Sequence, residues 1–156
     1  MAAAGKWKFY EQAKLELGQG ILDLSTGTFK MALFLSTSNA NTLSGSNKLA
    51  DLTNEVANAN GYTTGGVALT GLVWSNAAGT ETWSSGNGTW TAAGGSITGR
   101  FAVIYKSGTF GGIVNPIVCV SLLDTTPADV SVADGQQLQV TINASGIVTL
   151  SGAATD

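Results

Sequence analysis

The chain has 156 residues, of which 44% are apolar and only 11% charged, with a net charge of −3, 21 glycines, one cysteine and no histidine. That length suits one domain with a real core. The composition excludes most familiar chemistry: without histidine the commonest general base and metal ligand is missing, and a lone cysteine can neither close an internal disulfide nor build a zinc cluster.

A chain this rich in Gly, Ser, Thr and Asn reads as all-β, because those residues weaken helix interiors and favour turns. The exception comes first. Trp7, Tyr10, Ala13 and Leu17 recur at helical spacing, which predicts a helix over 6–18 with Lys14 and Glu16 on its outer face. Gly18 or Gly20 should stop it. ILDL then leads into a turn at Ser25-Thr26-Gly27, and FKMALFLS predicts a strand covered on both faces. The polar stretch 36–61 is long for a structureless loop. Within it, KLADLTNEVANA predicts one or two helical turns with Leu49, Leu52 and Val56 facing inward.

Strands follow quickly. Val67 to Trp74 reads as one, and TETWSS and GTWTAA around Gly86-Asn87-Gly88 predict a hairpin. SITGRFAVIYKSG alternates as a single strand, with Ile97, Phe101, Val103 and Tyr105 on one face and Arg100, Ala102, Ile104 and Lys106 on the other. In IVNPIVCVSLL, Pro116 should mark a strand start and Cys119 should be a small buried hydrophobe. QLQVTINASGIVTLSG predicts a terminal hairpin turning at Ala144-Ser145-Gly146. The expectation is one domain over 1–156: roughly seven or eight strands in an antiparallel β-sandwich or barrel-like fold with a short N-terminal helix. Residues 1–5 and 152–156 should be flexible.

The remaining search for chemistry is short. Lys6, Lys8, Lys14, Lys30, Lys48, Arg100 and Lys106 are scattered and read as solvated tips, so no nucleic-acid footprint is expected. No stretch reaches the length of a membrane span, and MAAAGKWKFYEQ lacks the apolar core of a secretory signal. EVANANGYTTGGVALTG looks like a ligand loop but lacks the lysine and hydroxyl of a phosphate site, and a strand follows it where a helix would be needed. The pair Gly65-Gly66 is better read as a tight turn or bulge at positive φ, and Asn58, Asn60 and Gly61 as left-handed or turn formers, with Tyr62 either a core anchor or a contact to a partner. Asp124, Asp129 and Asp134 in DTTPADVSVADG lack the alternation of a calcium loop and read as turn residues. No catalytic, cofactor-binding or metal-ligating residue is expected.

Contacts to other protein subunits are a better fit. A surface so poor in charge suits a domain partly covered by neighbours. The aromatic start Trp7, Phe9, Tyr10, together with Tyr62 and the single arginine Arg100, are the candidate contact residues. The plainer reading of Arg100 is an outward side chain paired with an acidic neighbour. Trp7, Trp74, Trp83 and Trp90 raise a separate alternative, a platform that stacks on sugars, which requires at least two of them exposed side by side.

Three segments in order, KFYEQAKLELGQGILDLSTGTFKMALF, EVANANGYTTGGVAL and TWTAAGGSITGRFAVIY, resemble small virion proteins of tailed bacteriophages across about residues 8 to 123. Those proteins open with a short helix, an aspartate-bearing turn and an apolar strand, and carry a Gly-Tyr-Thr turn and a strand of the RFAVIY type. Asn60 stands where they often have a small residue. The resemblance implies a non-enzymatic structural protein located in the virion, without cofactor, contacting the major capsid protein or other virion subunits and forming a homo-oligomer. A capsid decoration (cement) role is preferred. A tail-tube or head–tail junction subunit is the alternative, and it should show a long hairpin with a charged inner surface. A carbohydrate- or receptor-binding module is the alternative of another class.

Overall fold

A computed structural model describes residues 5–126 and 128–152. The fold is all-β and antiparallel throughout, with one short helix near the N-terminus. In chain order the elements are β1 (Lys8–Phe9), α1 (Glu11–Gly18), β2 (Phe29–Phe34), a 3-10 turn (Leu49–Asp51), β3 (Val67–Ala68), β4 (Val73–Ala77), β5 (Thr80–Ser84), β6 (Gly88–Thr91) and β7 (Ile97–Gly99). They continue as β8 (Phe101–Lys106), β9 (Thr109–Phe110), β10 (Ile113–Val114), β11 (Ile117–Leu122), β12 (Val130–Val132), β13 (Gln137–Val140) and β14 (Val148–Ser151). The strands are shorter and more numerous than the sequence suggested.

The main sheet has five strands in the order β1-β11-β8-β2-β3. Its centre, FAVIYK of β8, is buried at every position, as is nearly all of FKMALF in β2. Two covered faces explain why both segments are continuously apolar. Phe29 of β2 packs edge-on against Trp83 of β5, with ring centroids 5.1 Å apart. Tyr62 stacks on Trp90 of β6 at 6.2 Å. Through these aromatics the main sheet is packed against the smaller sheets β14-β5-β4 and β13-β6, giving a sandwich-like core.

The N-terminal helix begins later than expected. Lys8 and Phe9 pair with Val120 and Cys119, and α1 starts only at Glu11. Lys6, Trp7, Lys8 and Phe9 alternate exposed and half-buried, a period of two that fits an edge strand. Gly20 ends the helix at φ 72, with its N–H donating to Leu17 O. Glu16 is buried rather than outward, because three residues from Ala13 and beside Leu17 it lies within the stripe that packs inward.

The stretch 36–61 is pinned to the edge of β2. Phe34 bridges Glu55, Leu35 N donates to Asn54 O, and Val56 N donates to Leu33 O. Leu52 and Val56 are buried and Leu49 is half-buried, as expected, and of the one or two helical turns expected a single 3-10 turn forms. Pro116 does precede a strand, and Cys119 is fully buried.

Two expected continuous strands and two expected hairpins are corrected. Val67–Trp74 divides at Gly71 (φ 61) into β3 and β4, which belong to different sheets. The segments around Trp83 and Trp90 form no hairpin: β5 pairs with β4 and β14, whereas β6 pairs with β13. The 97–106 strand breaks at Arg100, with β7 joining β12 and β8 joining the main sheet. The terminal segments each find a different partner, β13 with β6 and β14 with β5, although the turn at Gly146 forms (φ 77). Of the two expected hairpin turns only the one at Gly146 forms, and in both places a distant strand outcompeted the neighbouring one for the backbone hydrogen bonds. Of the termini expected to be flexible, 1–4 and 153–156 lie outside the described residues. Gly5 is held, its N–H donating to Leu122 O and its carbonyl accepting from Ser121 Oγ.

Candidate functional site

The residues singled out from sequence do not come together. Tyr10 is fully buried, its hydroxyl donating to Ala40 O at 2.6 Å, and burial raises its pKa. Tyr62 is buried as well. Its hydroxyl donates to Glu55 Oε1 at 2.7 Å and accepts from Leu33 N at 3.0 Å, while Glu55 Oε1 also accepts from Gly65 N at 2.6 Å. The phenol thus fills a gap in the ladder along β2, between the β3 pairing at Met31 and the Val56 bond at Leu33. Both tyrosines serve their own domain and are corrected as subunit contacts.

Arg100 is half-buried and makes no ion pair among the described residues. Its guanidinium donates to the carbonyls of Thr126 and Ala128, holding the loop before β12. Trp7 is half-buried and lines a mixed depression of about 670 Å3 with Lys6, Ser121, Asn143, Val140 and Ile147. Only Phe9 reaches the surface feature described next. Among the other tryptophans, Trp83 and Trp90 are buried, so they supply no sugar platform. Asp124, Asp129 and Asp134 sit apart, accepting from Thr126 N, Ser36 Oγ and Gly94 N respectively.

An open, largely apolar groove of about 960 Å3 lies between α1 and the three-stranded sheet β14-β5-β4. One wall is Trp74, Val148 and Leu150; the other is Phe9, Leu17 and the 20–25 turn with Leu22 and Leu24. Register explains the first wall. Trp74, Trp83 and Val148 stand side by side on one face, and Asn76, Glu81 and Leu150 follow two residues on. Trp83 reaches the core, whereas the sheet extends past it and leaves Trp74 38% and Leu150 54% exposed. Leu15 (53%) and Val73 (51%) are also exposed large apolar side chains, on α1 and β4. Of these positions the sequence marked only Trp74, as one of four tryptophans, because what leaves them uncovered is the reach of the sheet beyond the core.

The electrostatics of the groove are sparse: Lys14 and Asp23 are the charged groups that line it. Hydrogen bonds from the Ser25 and Thr26 hydroxyls and from Ser25 N hold the Asp23 carboxyl down to about 2. Behind it lies Lys106, which is buried instead of solvated. Its ammonium donates to Asp23 O at 2.6 Å and sits 4.4 Å from the Phe110 ring centroid, and burial lowers its pKa. Glu16 on α1 is 3% exposed with Oε2 unpartnered among the described residues, and burial raises its pKa. No group of three or more His, Cys, Asp or Glu side chains gathers in metal-binding range among the described residues, nor is any helix there long and apolar enough to cross a membrane. No family model, curated protein or solved structure matches the chain.

Proposed function

We propose that the protein is a non-enzymatic structural subunit of a tailed-phage particle, most specifically a decoration protein that stabilises the head shell. The observation that carries the assembly part of this reading is the solvent-open apolar groove lined by Trp74, Val148 and Leu150 beside α1. A large uncovered apolar surface on an otherwise packed domain suits a protein–protein contact. Its near-neutral lining suits a low-charge partner surface rather than a polyanion. The placement in a phage head rests on the three ordered motifs of the sequence. A tail-tube role fits less well, since the β4–β5 hairpin has five residues a side and Glu81 as its only charge.

The test is to purify particles of the phage that encodes the chain, identify their proteins by mass spectrometry and label this one with immunogold. Label spread over the head supports decoration, and label along the tail transfers the chain to the tube or junction. Absence from the particle overturns the structural reading.

A further inference from the structure

We propose that β4 is a self-pairing edge: two copies of this chain join β4 to β4 about a two-fold axis at Ser75, fusing their three-stranded sheets into one of six strands. This deepens the assembly reading by naming a second copy as the partner of the same surface. The strand Val73–Ala77 is exposed at all its positions and pairs with β5 on one side, and among the described residues no strand lies on its other side. Its hairpin closes through Ala78 (φ 51) and Gly79 (φ 78), both left-handed as in a type I′ turn. Such a turn closes on a hydrogen-bonded Ala77–Thr80 pair. The peptide groups of Ala77, Ser75 and Val73 therefore face β5, and those of Trp74 and Asn76 face away, free to pair.

Natural edge strands are usually blunted by Lys, Pro, inward charges or bulges. VWSNA has none of these, and its register with β5 runs without a shift. The absence of charge also selects the occupant. A charged partner strand gains nothing from this edge, whereas a second copy meets it without like-charge repulsion. In antiparallel self-pairing centred on Ser75, Val73 stands opposite Ala77 of the other copy and Trp74 opposite Asn76. The two Trp74 side chains then become diagonal neighbours on one face, about 7–8 Å apart by backbone spacing and within reach of one another. Each covers the indole that the other leaves open. A two-fold perpendicular to the sheet keeps both apolar grooves on the same side, so their walls run on from one copy to the next.

The test uses the full chain carrying Ser75→Cys, with Thr82→Cys on β5 as control. In the paired form Ser75 faces its twin at a non-hydrogen-bonded position, about 4.5 Å between Cα atoms, inside the range a disulfide bridges. Thr82 would lie roughly three strand spacings, about 14 Å, from its twin and could not be bridged. Cys119 is buried and does not compete. Mild oxidation should give a covalent dimer for Ser75→Cys and none for Thr82→Cys. Light scattering on the wild type should show mass rising towards twice the monomer with concentration. Trp74→Asp should weaken that association at least about tenfold while the dilute variant still melts cooperatively.

Wild type that stays monomeric to about 1 mM overturns the pairing. So does cross-linking of Ser75→Cys no faster than of Thr82→Cys. Should either cysteine variant fail to fold, the wild-type and Trp74→Asp masses decide alone. A monomer that is nevertheless found in purified particles refutes the pairing and leaves the structural reading standing; a β4 dimer absent from particles does the reverse.

Discussion

Removing a single oxygen, by Tyr62→Phe, tests how the EVANANGYTTGG turn is tied to the core. The ring would keep its place, 2% exposed and stacked on Trp90. Two hydrogen bonds would go: the one accepted from Leu33 N at 3.0 Å and the one donated to Glu55 Oε1 at 2.7 Å. Leu33 is fully buried and its N–H has no other partner among the described residues, so leaving it unmade costs about 1–3 kcal/mol. Glu55 is half-buried and keeps the Gly65 amide, so water can replace much of the second bond and its loss adds about 1 kcal/mol. The total is about 2–4 kcal/mol, equivalent to roughly 5 to 12 °C in Tm for a chain of this size. Urea unfolding followed by tryptophan fluorescence would read it as a lower midpoint at constant slope. A variant within about 0.5 kcal/mol of wild type would refute the idea that the phenol completes the β2 ladder.

Gly66→Ala should leave little folded protein in expression and melting tests, because at φ 69 an added Cβ would lie 1.8 Å from Met31 O, a backbone atom. Asp23 has a folded pKa of about 2 against 3.8 for the free side chain, so its contribution is present above about pH 4 and is lost as pH falls through about 2. Asp23→Asn should therefore flatten that part of the acid limb of the stability curve, measured by thermal melts across pH. Glu16 shows the opposite sign: burial raises its pKa, so ionisation as pH rises works against the fold. Glu16→Gln should match or exceed wild-type stability at pH 7, with the advantage gone in acid where the wild-type carboxyl is protonated; urea midpoints at both pH values check it. Trp83 and Trp90 are shielded, so in dilute solution Trp74→Phe should remove much of the emission that acrylamide can quench; unchanged quenching would place Trp74 elsewhere.

Local sequence carried further than pairing did. The apolar runs in β2, β8 and β11 could be read directly, since a strand buried on both faces needs side chains that are apolar at nearly every position. Turn chemistry was partly legible: Gly20, Gly61, Gly65, Gly66 and Gly146 all adopt positive φ, whereas the expected turn at Gly86-Asn87-Gly88 does not form. What the sequence did not hold was the choice of partner. β5 and β6 stand next to each other in the chain but join different sheets, as do β13 and β14. Strand pairing is decided by which partner buries Trp83, Trp90, Leu138 and Ile147 together, a competition between distant segments that no local pattern records. The candidate surface followed from the same contest. Phe9 was singled out in the sequence for being aromatic, but Trp74, Val148 and Leu150 became a groove only because β14 and β4 flank β5 and extend beyond the core. Composition determined an all-β domain and its turns; the tertiary structure decided which apolar side chains were left facing water, because that depends on where the core ends.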